Sequence, residues 1–462
     1  MAPEHAVAVV FVVAMFMTIM DSTVVNVAVP TLARDFDART SVEWVVTGYL
    51  LSLAIWIPTS GWIGDRFGTK RVFLAALVIF VVASLLCGAA TSLGQLTAFR
   101  VVQGIGGGLM MPVGTALLFR AFPPEQRARA SRVLIVPTVV APAAGPVVGG
   151  LLVDQLSWRW VFAVNVPIGV AAIVFGAVFL VEHREEEAGS FDSAGFVLSG
   201  VSLGAVLYAI SQGAVAGWTS PPVLLAALAG VVGSVLLVRV ELALRAPMLD
   251  LRLLGDRLFR TSNLVCLFSY SSFLGLLFVM SLYLQRSRGA SALETGLTTF
   301  PEALGVLAAA QVVSRVYMTV GPRRLMTGGL LALAALAVAM AVLVDDVGLW
   351  GIRALMFGMG CAMGCVFMPQ QAATFATISA RDTGRASAIY SMQRQIGAAL
   401  GVAVLATVLA RSGSDATPAS YRPVFVTAAL LALVGAAVAR TIHDHDAAGT
   451  MHPKPPATPP PA

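Results

Sequence analysis

Fourteen apolar stretches, parted by short polar breaks, fill the chain from about Val7 to about Val438. Each is close to the roughly 20 residues that a helix needs to cross a hydrocarbon core. They fall near 7–28, 43–62, 72–90, 94–119, 133–153, 159–181, 194–212, 221–238, 261–284, 295–314, 325–344, 348–376, 387–410 and 423–439. No gap between them would hold a soluble domain. The pattern therefore predicts an all-α integral membrane protein of 14 transmembrane helices, with its function inside the bilayer.

The pattern also repeats. Gly61 to Arg71 aligns without gaps to Ser314 to Arg324 at an offset of 253 residues, and the same offset lays Arg100 on Arg353. Two matches in one register predict two homologous six-helix halves, a common transporter architecture. The expected organisation is an N-terminal half over 1–181, two inserted helices with a cytoplasmic linker over 182–257, a C-terminal half over 258–440 and a disordered, Pro-rich cytoplasmic tail over 441–462. The stretch from Arg239 to Arg260 is apolar and charged by turns, which suits an interfacial hinge between the halves.

Composition agrees with the lipid reading: 58% of residues are hydrophobic, 12% are charged and the mean hydropathy is +0.85. The net charge of +6 points to orientation in a bilayer rather than to nucleic acid. With the N-terminus inside, 20 of the 30 Lys and Arg residues fall in inner loops and the tail, 7 in outer loops, and Arg100, Arg353 and Arg394 within spans. That bias predicts both termini in the cytoplasm. The first span follows a leader without Lys or Arg and lacks a small-residue cleavage site, so it is expected to stay. Arg outnumbers Lys 28 to 2, which suits a GC-rich bacterial genome and a bacterial cytoplasmic membrane. All four cysteines lie in apolar spans, so no disulfide framework is implied.

Only Lys70 and Lys454 exist, and neither follows a glycine, so no P-loop is present. Transport would then draw on an ion gradient or on the substrate's own gradient. All five histidines lie outside the spans, which leaves carboxylates to carry protons. Of the 24 acidic residues, only Asp21 and Glu302 lie well inside the hydrocarbon, where an ionisable group is costly and marks a functional site by default. At 1.5 Å per residue, Asp21, Glu302 and Arg100 sit about 13, 11 and 9 Å from the outer end of their spans, close to one depth. The same Asp21 and Arg100 would equally serve as a structural ion pair, and Glu302 would equally face water at the mouth. Tyr49, the repeat-mate of Glu302, offers an aromatic face to a cation. Asn26, about 140° around the helix from Asp21, suits helix contact, and it joins Tyr49, Gln103 and Arg394 as a candidate cavity residue.

These residues resemble the fourteen-span drug:proton antiporters of the major facilitator superfamily. Met20 to Pro30 is similar to the family's first-span signature, with Asp21, Thr23, Asn26 and Pro30 in place. Gly61 to Arg71 is similar to the loop between spans two and three, with Gly64, Asp65, Arg66, Gly68, Lys70 and Arg71 matched. Arg100 to Gly108 resembles the fourth-span motif, whose arginine is associated with proton coupling. Pro142, Gly145, Pro146, Gly149 and Gly150 resemble the antiporter signature of the fifth span, although Arg132 and Ala141 stand where the full pattern has glycines. Trp158 to Gly169 and Arg394 to Gly401 also look like family segments. The second-half loop carries Met318 where the first half has Asp65, so an acid-dependent gate would rest on the first half alone. There Asp65 would hold the N-terminus of a facing helix through its dipole.

The resemblance implies a proton-coupled exporter of drugs or other amphipathic, often cationic, small molecules, working as a monomer with no cofactor beyond the proton gradient and no metal. Export of one dedicated metabolite, such as a self-made antibiotic, siderophore or lipid, is the alternative. A membrane-embedded enzyme would display clustered carboxylates; the only adjacent aspartates are Asp345 and Asp346, in an expected outer loop.

Overall fold

The computed structural model describes residues 3–451 apart from 38–41, 43, 123–140, 142–143, 146–147, 154, 185–190, 245–246, 344–345, 380 and 413–416, and apart from the side chains of a few helical residues that include Asn26. Every regular element among the described residues is helical. The N-terminal set is α1 (Pro3–Asp35), α2 (Trp44–Trp56), α3 (Ser60–Phe67), α4 (Thr69–Ala89), α5 (Leu93–Ala121), α6 (Arg159–Ala163) and α7 (Asn165–Phe179). Next come α8 (Ser193–Ala216) and α9 (Pro221–Ala243). The C-terminal set is α10 (Arg257–Leu282), α11 (Ala292–Val320), α12 (Pro322–Leu343), α13 (Leu349–Thr374), α14 (Thr383–Arg411), α15 (Arg422–Ala439) and the short α16 (Ala448–Met451).

Twelve helices among the described residues are long and apolar enough to cross a membrane, or thirteen if α2 and α3 count as one span bent by 56°. The fifth expected span, 133–153, lies largely outside the described residues. The α2–α3 bend follows from Pro58, which removes a backbone donor. Its repeat-mate is Gln311, and α11 runs through that point unbroken.

Packing repeats at the offset read from sequence. Gly104 and Gly108 of α5 pack on the carbonyls of Tyr49 and Leu53 of α2 so closely that a Cβ would collide with them. In the C-terminal set, Gly360 and Gly364 of α13 pack in the same way on the carbonyls of Glu302 and Val306 of α11. Those four carbonyl residues are repeat-mates at 253. Small residues one turn apart are what let helix backbones approach in lipid, where no hydrophobic drive separates helix from acyl chain.

A second repeated device sits at the end that carries Gly61 to Arg71, called here the basic end. Gly68 and its mate Gly321 both adopt positive φ, 96° and 82°, and break the chain sharply before α4 and α12. A carboxylate follows the last span of each set and caps the new helix. Glu182 accepts from the amides of Lys70 and Arg71 at 3.0 and 3.2 Å, and Asp444 accepts from the amide of Arg323 at 2.9 Å. Both caps place negative charge at a helix N-terminus, where the dipole favours it.

Asp444 belongs to the stretch expected to be a disordered tail from 441. That stretch is instead ordered as far as Met451: Tyr317 Oη and Thr450 Oγ1 lie 2.8 Å apart, and Arg257 Nη2 reaches His443 Nδ1 at 2.7 Å. The aromatic and small side chains beneath it outweigh its polar composition.

The two inserted helices lie over the seam between the sets. Leu203 and Leu207 of α8 pack with Ala54 of α2 and with Met392, Ile396 and Ala399 of α14, Trp56 packs on Phe196 at 5.4 Å, and Trp218 Nε1 donates to Thr407 Oγ1 at 2.8 Å. Helix α9 packs on α8 and leaves an apolar face outward, with Leu225, Leu228 and Val231 more than half exposed, as lipid contact requires.

Candidate functional site

Asp21 lies in the middle of α1 and is 1% exposed, so its carboxylate must be satisfied by protein. Arg100 of α5 approaches Oδ2 at 2.5 Å. Oδ1 accepts from Gln103 Nε2 and from Asn165 Nδ2, both at 3.0 Å. Ser84 of α4 closes the ring: its hydroxyl accepts from Asn165 at 3.1 Å and from Gln103 at 3.3 Å, and donates to the Phe162 carbonyl at 2.9 Å. Arg100 also donates to Gln103 Oε1 at 2.7 Å and, through Nε, to the Val45 carbonyl at 3.1 Å. Three side chains from α4, α5 and α7 thus gather around one ion pair between α1 and α5, and Arg100 ties it to α2.

Tyr49 meets a cation, as its position suggested, but the cation is Arg100. The guanidinium lies 4.0 Å from the ring centroid, and Tyr49 is fully buried. Gln103, grouped with the cavity candidates from sequence, is a member of the Asp21 cluster instead. Ser84 and Asn165 went unnoticed at the sequence level. Their signal was a polar side chain within an apolar span, and Asn165 also falls in the Trp158 to Gly169 segment that resembles the family.

Glu302 does not join the cluster. It lies in α11 of the C-terminal set, 6% exposed, and no described residue hydrogen-bonds or ion-pairs with its carboxylate. Among the described residues Arg353, the mate of Arg100, pairs with no acid either: its guanidinium stacks on Trp350 at 4.6 Å, near the start of α13. Asn26 carries a side chain outside the described set.

At the basic end the N- and C-terminal sets meet. Gly61 of α3 abuts the backbone of Gly384 in the first turn of α14, where a Cβ would sit 2.9 Å from the Gly384 carbonyl. Asp65 lies against the same turn, 3.0 Å from where a Gly384 Cβ would stand, and accepts from Arg120 Nη2 at 3.0 Å. This is the carboxylate at a facing helix N-terminus that the sequence suggested. Phe119 of α5 stacks on Phe375, just past α13, at 4.4 Å. Gly64 packs against Val113 of α5, while Arg66 is exposed and Arg71 reaches Glu182 at 3.6 Å.

In the fifth-span motif, Gly145 and Gly149 press against Thr23 and Val24 of α1, within one turn of Asp21. Gly150 has open space around it, and Pro142 and Pro146 lie outside the described residues. A cavity of about 470 Å³ lies between the sets, walled by α2, α8, α10 and α14; its lining includes Leu51, Leu207, Leu274, Phe278 and Ala398, with Thr47, Tyr208 and Gln395 as the polar members. Its wall is uncharged.

The sequence profile of the Major Facilitator Superfamily matches residues 11–194, 192–402 and 263–460. A multidrug resistance protein B homolog of Mycobacterium tuberculosis is 32% identical over 407 residues, covering 87% of this chain and 75% of the relative. The multidrug export protein EmrB of Haemophilus influenzae is 32% identical over 395 residues, or 85% and 78% of the two chains. The tetracenomycin C resistance and export protein of Streptomyces glaucescens is 32% identical over 444 residues, or 96% and 81%. Among solved structures, the human organic anion transporter MFSD10 matches with a TM-score of 0.68 at 15% identity, over 95% of this chain and 100% of that one. The proton:xylose symporter XylE matches at 0.62 and 14%, over 93% and 94%; at such identities these two bear on the fold alone. The chain therefore belongs to the Major Facilitator Superfamily and is a membrane transporter rather than an enzyme, with relatives named for multidrug resistance and export.

Proposed function

We propose that this transporter is a proton-coupled antiporter that exports amphipathic small molecules. The observation that carries the reading is the buried Asp21–Arg100 pair held by Gln103, Asn165 and Ser84. Proton uptake by Asp21 would cancel the charge that holds Arg100, and Arg100 would then release α1 while keeping its grip on α2 and Tyr49. That links a proton to a helix rearrangement. One charge crossing the membrane supplies about 2.3 kcal/mol per 100 mV, roughly a fiftyfold concentration ratio.

In this reading 1–181 and 258–440 are the rocking halves, Asp65 latches the basic end through the α14 N-terminus, and Gly64, Gly68, Arg66 and Arg71 shape that gate. Gly145 and Gly149 let the fifth span lie against α1 beside the proton site. Glu302 is a second intramembrane acid for proton uptake in the C-terminal half. The chain has fourteen spans, counting 133–153, sits in the bacterial cytoplasmic membrane with both termini inside, and works as a monomer.

The test is accumulation of a fluorescent amphipathic dye in cells. Wild type should hold dye out until an uncoupler is added, whereas Asp21→Asn should fail to hold it out under either condition. Export by active protein that an uncoupler leaves unchanged would refute proton drive. The tetracenomycin C exporter among the relatives favours a second reading, export of one dedicated metabolite. Growth inhibition across dissimilar compounds separates the two.

A further inference from the structure

Arg394 is a cation in the middle of α14, eleven residues or about 16 Å from its first residue. Its guanidinium lies beside the hydroxyls of Tyr270 and Tyr390, and no carboxylate among the described residues pairs with it. The contrast with Arg100 is sharp, since that guanidinium has a carboxylate, an amide oxygen and a carbonyl. Tyr270, Tyr390 and Ser391 around it are all buried, while Arg394 itself is half-buried.

Leu274 and Ala398 line the cavity between the sets, and Tyr270 and Arg394 stand four residues before them on α10 and α14. A spacing of four places each pair on one helix face. The two helices run side by side in one direction, since Gly397 meets the Leu267 carbonyl and Gly401, four residues on, meets the Ser271 carbonyl. Both steps therefore lead the same way, toward the basic end. One helical turn beyond the apolar lining, on that side, stand a cation and a phenol, and no acid is among the described lining residues.

An unpaired arginine at this depth is costly unless something supplies the missing charge. We infer that the cavity takes amphipathic organic anions, with the apolar body between α2, α8, α10 and α14 and the acidic head at Arg394 beside Tyr270. This rests on the export reading and names its substrate class. The expectation of cationic substrates came with the family resemblance; of the two intramembrane acids, Asp21 is already bound by Arg100 and Glu302 is absent from the cavity lining.

Three matched probes test it on the full-length protein purified in detergent: pyrenebutanoate, its methyl ester and pyrenebutylamine, with binding read by fluorescence. The acid should bind about tenfold more tightly than the ester, as a charge-assisted contact predicts, and the amine most weakly. Arg394→Gln should bring the acid to the ester's affinity and leave the ester unchanged, while Arg394→Lys should keep most of the preference. Equal binding of acid and ester by wild type, tightest binding of the amine, no binding of any probe, or an equal loss for all three in Arg394→Gln would each overturn the inference. Displacement of the acid by phosphatidylglycerol would identify a lipid as the source of the anion, and its failure a soluble acid; the anion class stands in both cases. No gradient enters this measurement, so its failure is distinct from a failure of proton coupling.

Discussion

Asp21 and Arg100 hold each other where neither has water to fall back on. Breaking a buried pair by removing one partner costs about 3 to 5 kcal/mol, because the survivor is left charged and alone, whereas replacing both can be nearly neutral. Arg100→Leu should therefore lower the melting temperature of the purified protein more than Asp21→Leu/Arg100→Leu does. A double variant no more stable than the single would show that the pair carries little of the local energetics. Transport should be lost in both, which separates the structural role of the pair from its proposed role in coupling. Around the pair, each donor spent on Asp21 is spoken for by geometry: Gln103 and Asn165 share Oδ1, and Ser84 fixes both amides. The arginine that lacks such a setting is Arg394, and the lack is what gives it a ligand to seek.

Helices in this protein approach through missing side chains. On α5 and α13 the glycines at contact stand where any Cβ would meet a carbonyl of the neighbouring helix, so substitution must push two spans apart. Gly104→Ala and Gly360→Ala should each destabilise by about 1 to 3 kcal/mol, the usual cost of overpacking, read as a lower melting temperature in detergent. Gly150→Ala supplies the control, because nothing lies within 4 Å of its would-be Cβ, and it should melt as wild type does. An equal effect at all three positions would mean that helix propensity, not contact, governs them. The same logic explains why α2 and α3 part at Pro58 while α11 stays whole: the repeat preserves the contacts of the two sets, and a single proline alters the path of one.

Among the described residues the two sets are joined at the basic end and through the layer of inserted helices. At the basic end, Gly61, Asp65 and Phe119 from one set meet Gly384 and Phe375 from the other. Asp65 sits there as a negative charge at the positive end of α14, an attraction worth about 0.3 to 1 kcal/mol in ordinary settings and up to about 2 when partly buried. Its loss should shift the balance between open and closed rather than alter the cavity. Asp65→Asn should slow transport by a fewfold while the affinity for a bound dye stays within twofold, measured side by side on purified protein and in cells; an equal loss of binding would sink the latch. Helix α8 touches both α2 and α14, so any rocking of the sets must slide along it. Its small and aliphatic face suits sliding better than interlocking would.

Hydropathy is a local sum over about twenty residues, which is why the spans, the membrane class and the depth of Asp21 and Arg100 could be read directly from the chain. The 253-residue repeat carried further, since it made Tyr49 the repeat-mate of Glu302, and the two carbonyls pack against glycines of the neighbouring helix in the same way. What the chain could not disclose was angle. Ser84 and Asn165 are two polar residues among many within spans, and only the rotation of α4 and α7 in the packed bundle turns them onto Asp21. Gln103 moved from cavity to cluster, Tyr49 found Arg100, Glu302 stayed apart and the stretch to Met451 docked for the same reason: contacts between residues far apart in sequence depend on how helices pack, and one turn of rotation decides which side chain meets water, lipid or charge.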